Sequence, residues 1–337
     1  MTKLSYVGTC AGVLALLTPA ARAQVPAESL AVWTAELQSA GLMRRAAIVS
    51  KLVQGSPASL PPDTRDAAIG ELNRINAALV EGRAIEGSES GEVLGEYYIQ
   101  LTSLVAGFRV PDADRALILA VAVSGGVQRR VAKLGDAAVP TLARMIERAY
   151  EPRAALQTMG LAWFWADSTA APLADASRET IVRHFLAAGA RDELLLGLAA
   201  ALNDTRDPAF LPLARAVERR AVERREIAGA YLQLTTIPGL ESAAARLTPA
   251  DAAGRTLRAV RAFCTDAASS PRRGACESVQ NDLATAVGHL QTGRREPARN
   301  ALRAASRRSA DALAIGAFTS DEHAIVLGGV EQILARL

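Results

Sequence analysis

The chain has 337 residues, of which half are hydrophobic and only 4% aromatic, and its formal net charge is +3. This length accommodates two domains or one elongated array. The nearly neutral charge excludes a nucleic-acid-binding protein, because such proteins need a basic surface that neutralises phosphates. Heavy use of alanine, and of arginine in place of lysine, is typical of a GC-rich bacterial genome.

The first residues have the pattern of a secretory signal peptide over residues 1–23. Lys3 precedes an apolar run over residues 7–17, and Ala21-Arg22-Ala23 supplies a small-residue cleavage motif. The run is too short for a membrane-spanning helix, which needs about 20 apolar residues. We therefore expect cleavage after Ala23 and a periplasmic or secreted mature chain that does not insert into a membrane. Lipidation of Cys10 is the alternative, although Cys10 lies inside the apolar run instead of after it.

The rest of the chain predicts an all-α protein. Apolar residues recur three and four positions apart over long stretches, and the strict alternation of strands is nearly absent. Residues 24–89 form a predicted N-terminal helical segment that fits no clean repeat period. Further along, Asp207-Pro208 and Thr248-Pro249 each combine an N-cap with a proline in the first helical turn. Thr319-Ser320-Asp321-Glu322 reads as a capping box.

Residues 90–263 contain a predicted helical repeat. Gly135-Asp136-Ala137-Ala138-Val139-Pro140-Thr141-Leu142 opens one helix pair, and its Val-Pro dipeptide lies 72 residues before Leu211-Pro212, which opens another. That distance is two steps of 36 residues, and a third pair falls between them. Over residues 90–234 the pattern resembles the HEAT repeat family, although the middle pair lacks the proline. The resemblance implies an α-solenoid of stacked antiparallel helix pairs that serves as a binding surface.

Two cysteines remain after signal cleavage, Cys264 and Cys276. An even count in an oxidising compartment predicts a disulfide between them. The intervening residues are rich in serine, proline, glycine and arginine, which predicts a loop or linker over 264–276 that is a poor helix. Closing such a loop stabilises a fold by about 3 kcal/mol in the chain-entropy model. Two buried free thiols are the alternative, and a zinc site is not expected because no second ligand pair lies at suitable spacing.

Residues 277–337 are expected to form a small C-terminal helical bundle. An apolar stripe marks its first helix, and two more helices follow. The stripe consists of Val279, Leu283, Val287 and Leu290. The spacing and turn positions resemble the FIMAH module, an appendage of secreted bacterial proteins, some of which process polysaccharides. The chain departs from that family by lacking its central phenylalanine, near Ala304 and Ala305.

The sequence carries no recognisable catalytic motif. Residues 87–91, Gly-Ser-Glu-Ser-Gly, resemble a nucleophile elbow, but Glu89 stands where the motif requires serine and no strand precedes it. The three histidines, His184, His289 and His323, are scattered, and none has a second histidine at metal-ligand spacing. We therefore predict no catalytic residues, no metal and no cofactor. An enzyme is an alternative only if carboxylates from several repeats converge.

An aromatic cluster is the first candidate binding surface. Trp163-Phe164-Trp165 occupies consecutive helical positions, which are about 100° apart, so at least one ring is expected to leave the core. An exposed ring there could stack on a sugar or anchor a protein partner. We take Trp163 and Trp165 as candidates, with Tyr97 as a weaker one. Packing between repeats is the competing interpretation.

An arginine stripe is the second candidate. Arg299, Arg303 and Arg307 recur at four-residue spacing, with only Glu296 near the start of the stripe. These side chains could meet an acidic glycan, a lipid headgroup or an acidic protein. A solvated helix face is the competing interpretation.

These observations favour an exported, non-catalytic binding or scaffold protein that presents a helical-repeat surface to a protein partner. A glycan- or cell-wall-associated accessory protein is the alternative, suggested by the FIMAH resemblance and the tryptophans. An unrecognised enzyme comes last. Buried or paired candidate side chains would weaken the glycan hypothesis, and a groove of mixed polarity would favour a protein partner.

Overall fold

The computed structural model describes residues 27–81, 83, 85, 91–108, 110–168, 173–264 and 270–337. In these residues the regular structure is helical throughout and no β-strand occurs, which confirms the predicted all-α class. The predicted signal peptide lies outside them, as do residues 87–90 of the polar segment that resembles a nucleophile elbow.

The α-helices are numbered in chain order. They are α1 Ala27–Ser39, α2 Leu42–Gln54, α3 Pro62–Val80, α4 Gly91–Ala106, α5 Pro111–Leu117, α6 Gly125–Ala132, α7 Val139–Glu147, α8 Pro152–Ser168, α9 Asp175–Gly189, α10 Leu195–Thr205, α11 Leu211–Glu223, α12 Ile227–Tyr231, α13 Ile237–Arg246, α14 Pro249–Cys264, α15 Ser270–Gln291, α16 Arg295–Ala314 and α17 Ser320–Leu334. Within the described residues, no helix is both long enough and apolar enough to cross a membrane.

Several helices begin where local sequence signals predict. The Thr319 hydroxyl accepts a hydrogen bond from the Glu322 backbone, and the Glu322 carboxylate accepts one from the Thr319 backbone, so both halves of a capping box are present. The Asp207 carboxylate caps the turn before α11 by accepting from the Ala209 backbone N–H at 3.1 Å. These contacts satisfy backbone donors that have no partner within the helix.

The middle of the chain packs as neighbouring helices in close contact. Helix α8 packs on both α6 and α10. Helix α7 packs on α8 and α9, and α9 packs on α14. The approach of α8 to α10 is very close, since a Cβ on Gly160 would lie 2.3 Å from the Ala201 carbonyl oxygen. Only glycine allows that approach. The solenoid arrangement implied by the repeats stays a prediction.

The C-terminal helices share the core of the helices before them. Helix α15 packs along α14 and α16, and α17 packs on α11 and α14 as well as on α16. Gly328 and Gly329 of α17 make this possible, because a Cβ on either would lie under 3 Å from Pro212 or Thr256 respectively. The buried residues therefore form one continuous hydrophobic cluster that includes residues of α17.

The predicted disulfide between Cys264 and Cys276 is confirmed, with the two Cα atoms 5.7 Å apart. The prediction of a poor helix between the cysteines is wrong for residues 270–275, because α15 already begins at Ser270. The disulfide thus joins the end of α14 to the second turn of α15. Packing of α15 against α14 and α16 supplies the helix stability that the local composition lacks.

Candidate functional site

The described residues line a cleft of about 990 Å³ beside α9 and α14. We call it the arginine cleft, because Arg178, Arg258 and Arg261 line it together with a single acidic residue, Asp175. Gln280 of α15 completes the polar part of the lining. Its volume lies at the upper end of the range of clefts that hold small ligands, about 300–1,000 Å³.

Helix α14 provides one wall of the arginine cleft through residues that share a helix face. Gly254, Arg258 and Arg261 recur at spacings of four and three, which places them along one side of the helix. A Cβ on Gly254 would meet no heavy atom within 4 Å. This glycine therefore leaves space inside the cleft, whereas Gly160 is needed for close helix packing.

Arg178 of α9 is held by a buried aromatic layer. Its side chain is largely buried, and its guanidinium carbon lies 4.8 Å from the centroid of the Trp163 ring, a cation–π distance. Trp163 is fully buried, and its Nε1 donates to Asp207 Oδ2 at 2.9 Å. The same oxygen lies 3.4 Å from Arg255 Nη1. The Trp163 ring thus holds the Arg178 guanidinium in place, and the hydrogen bond to Asp207 holds the Trp163 ring in place.

The polar lining of the cleft consists mainly of arginine. Among the described lining residues there are three arginines and one aspartate. A planar guanidinium donates two parallel hydrogen bonds to a carboxylate or phosphate. Leu173 and Leu257 also line the cleft, but both side chains are largely buried.

Two of the sequence-predicted binding residues are core side chains. Trp163 and Tyr97 have exposed fractions of 0% and 1%, so neither ring can stack on a ligand at the surface. The Tyr97 hydroxyl donates to Glu71 Oε1 at 3.1 Å, and Glu71 pairs with Arg45 at 2.7 Å. Burial raises the pKa of Tyr97 well above its usual range. The structure corrects both assignments: Trp163 supports the cleft from inside, and Tyr97 closes a buried polar network.

The other predicted binding residues lie outside the arginine cleft. Trp165 is half-buried, and Lys133 Nζ lies 4.7 Å from the centroid of its ring. On α16, Arg299 pairs with Glu296. Arg303 and Arg307 are exposed. The structure therefore does not bring the tryptophans and the arginine stripe together around this cleft.

The histidines do not form a site with the cleft. His184 is mostly buried, and burial lowers its pKa although Glu147 lies 3.8 Å away. His323 Nδ1 lies 2.9 Å from Ser309 Oγ, but Ser309 is fully buried and cannot reach a substrate. Within the described residues, no group of three or more histidine, cysteine or acidic side chains could hold a metal ion.

Sequence reasoning missed the cleft arginines, because the sequence shows only part of the pattern that groups them. The spacing of Gly254, Arg258 and Arg261 is visible on a predicted helix, but Arg178 stands 80 residues before Arg258 and belongs to another helix. Comparison of the chain with protein-family models, with curated proteins and with solved structures found no match.

Proposed function

We propose that this protein is an exported, non-catalytic binding protein that receives a segment of a protein partner in the arginine cleft. The observation that carries the proposal is the cleft itself, which combines about 990 Å³ of space with polar side chains from three helices, α9, α14 and α15. A concave site of mixed polarity suits an extended peptide segment, which brings both polar and apolar groups. Export is supported by the signal-peptide pattern and by the disulfide.

Three features favour a protein partner over a glycan. No aromatic side chain is among the described residues that line the cleft, so it offers no ring for a sugar to stack on. Trp163 and Tyr97, which suggested a sugar platform, are buried. Arg299, the first member of the arginine stripe, is paired with Glu296. The criterion set from the sequence is met only in part, because Trp165 is half-buried and Arg303 and Arg307 are exposed.

The non-catalytic part of the proposal rests on the same lining. General acid–base catalysis needs a proton donor and a proton acceptor at the reacting atoms, and nucleophilic catalysis needs an activated nucleophile. The described lining residues supply one carboxylate, Asp175, while Cys264 is held in a disulfide. This set binds and orients a ligand.

Photo-crosslinking in the native host tests the proposal. A photoreactive amino acid replaces Gln280, inside the cleft, or Asp112, on the exposed face of α5. We expect a discrete protein adduct from position 280 only. Gly254→Leu, which fills the cleft, should abolish that adduct, and Gly70→Leu should not. Both glycines are helical with no heavy atom within 4 Å of an added Cβ, so the two variants differ mainly in location.

An adduct that persists in Gly254→Leu would place the partner elsewhere and refute the role of the cleft. Recovery of cell-wall polysaccharide without a protein adduct would favour the glycan-associated alternative. Circular dichroism of both variants verifies that the helices are intact, so that loss of the adduct reports on the cleft.

A further inference from the structure

We propose that helix α16 carries a second binding surface, on which a row of four arginines holds an acidic polysaccharide. The row consists of the arginine stripe, Arg299, Arg303 and Arg307, and of Arg295, which extends the stripe by one more step of four residues. This surface lies outside the lining of the arginine cleft. The proposal therefore goes beyond the proposed function and does not rest on it.

The positive charge of the chain is concentrated on this helix. Residues 294–311 contain six arginines and two acidic residues, Glu296 and Asp311, which gives them a net charge of +4. The formal net charge of the whole chain is +3, so all the other residues together have a net charge of −1. A local excess of this kind creates a positive potential that attracts an anionic partner even when the net charge of the chain is small.

Most arginines of the row are free to contact a ligand. Arg295, Arg303 and Arg307 are exposed, and within the described part of the chain their guanidinium groups form no ion pair or hydrogen bond. Arg299 differs, because it pairs with Glu296 in a pair that solvent reaches from both sides. An exposed ion pair contributes little to stability, so a carboxylate of the ligand can take the place of Glu296.

The geometry of the row suits a flexible chain better than a flat surface. Helical residues four positions apart lie about 6 Å apart along the axis and about 40° apart around it. From Arg295 to Arg307 the row therefore rises about 18 Å and turns through about 120°. A flat membrane contacts one side of a helix and would reach only part of this row. A linear polymer can follow all of it, and α16 is kept in place by its packing on α15 and α17.

The side chains beside the row favour a polysaccharide. Asn300 is exposed and Ser306 is half-buried, so both an amide and a hydroxyl lie next to the arginines. These groups hydrogen-bond to sugar hydroxyls, and guanidinium groups bind carboxylates through paired hydrogen bonds. A protein partner would need a large apolar anchor in the interface, and α16, all of whose residues are described, exposes none. Its sequence also has no aromatic residue on which the bases of a single-stranded nucleic acid could stack.

Affinity measurements on the full mature chain test the proposal. The probe is an oligogalacturonate long enough to span the row, and a dextran oligosaccharide of the same length is the uncharged control. We expect the chain to bind the oligogalacturonate and not the dextran. The affinity should fall as salt is raised, because salt screens the attraction between the carboxylates and the arginines.

Two double variants with the same change of charge locate the binding surface. Arg303→Gln with Arg307→Gln removes two charges from the row, whereas Arg219→Gln with Arg246→Gln removes two from α11 and α13. Arg219 and Arg246 are also exposed, and their guanidinium groups likewise have no ion pair or hydrogen bond in the described residues. The first variant should weaken binding at least about tenfold, as expected for the loss of charge-assisted hydrogen bonds. The second should weaken it by less than about twofold, since only long-range attraction is lost.

An equal loss of affinity in the two double variants would overturn the proposal, because the polymer would then respond to the overall charge of the chain. Absence of oligogalacturonate binding would overturn it as well. Tighter binding of poly-glutamate, or of phosphatidylglycerol vesicles, would overturn it in favour of an acidic protein or a membrane. The proposed function is tested separately by photo-crosslinking from position 280, which lies outside α16, so the failure of one proposal is distinct from the failure of the other.

Discussion

Asp207 lies at the centre of the support beneath the arginine cleft, and its replacement by alanine should destabilise the whole protein. The side chain is fully buried. One oxygen accepts from Trp163 Nε1 at 2.9 Å and lies 3.4 Å from Arg255 Nη1, while the other accepts from the Ala209 backbone at 3.1 Å. Asp207→Ala therefore removes three interactions at once.

The magnitude follows from the state of each partner. The indole N–H of Trp163 would be left buried without an acceptor, which costs about 1–3 kcal/mol. Loss of the cap on Ala209 costs about 0.5–2 kcal/mol. The Arg255 side chain is partly exposed, and water replaces much of that interaction. We expect a decrease in the free energy of unfolding of about 3 kcal/mol, dominated by the indole and the cap.

Urea unfolding followed by circular dichroism measures this decrease. Asp112→Ala is the matched control, because Asp112 pairs with Arg115 at 3.0 Å on an exposed helix face and should cost less than about 0.5 kcal/mol. Adding Trp163→Phe to Asp207→Ala removes the unsatisfied donor. The double variant should therefore lose less free energy of unfolding than the sum of the losses of the two single variants. Equal midpoints for Asp207→Ala and Asp112→Ala would refute the reasoning.

Three further predictions concern packing, the disulfide and pH. Gly160→Ala should destabilise the protein by about 1–3 kcal/mol, since the new Cβ meets the Ala201 backbone. The control Gly70→Ala, on an open helix face, should stabilise it by about 0.4–1 kcal/mol. Thermal unfolding compares the two variants, and equal shifts in Tm would contradict the packing argument. The disulfide closes a loop with a sequence separation of 12, so its reduction should lower the free energy of unfolding by about 3 kcal/mol. Urea titrations with and without reductant measure this difference, and an unchanged midpoint would contradict the prediction. Burial raises the pKa of Tyr97 and Tyr98 above the ordinary value of 10.0, so only the unfolded chain loses these protons just above that pH. Stability should be independent of these groups below pH 10 and fall above it by up to about 1.4 kcal/mol per pH unit for each tyrosine, and Tyr97→Phe should reduce the slope of the urea midpoint against pH.

Features that depend on neighbouring residues were predictable from the sequence. The capping box at Thr319 and the cap at Asp207 are local, because each links groups two or three residues apart. The all-α class follows from the spacing of apolar residues, which reports directly on helix faces. Pairing of Cys264 with Cys276 was predicted from the two cysteines that the expected signal cleavage leaves.

Features that depend on distant residues were decided by the tertiary structure. Consecutive helical positions point in different directions, which predicts that Trp163 and Trp165 have different surroundings, but not which of them is buried. Only the fold places Asp207 against the indole of Trp163 and thereby turns a candidate binding residue into a support. Likewise, packing of α15 on its neighbours overrides a composition that predicts a loop at Ser270.

The arginine cleft shows the same division. The sequence by itself determined a helix with arginines on one face, since that requires only the spacing of Gly254, Arg258 and Arg261. It did not determine that this face meets Arg178, because the contact between α9 and α14 joins segments about 80 residues apart. Helix formation is encoded by interactions within one or two turns, whereas a cleft exists only where separate helices pack and leave a gap between them.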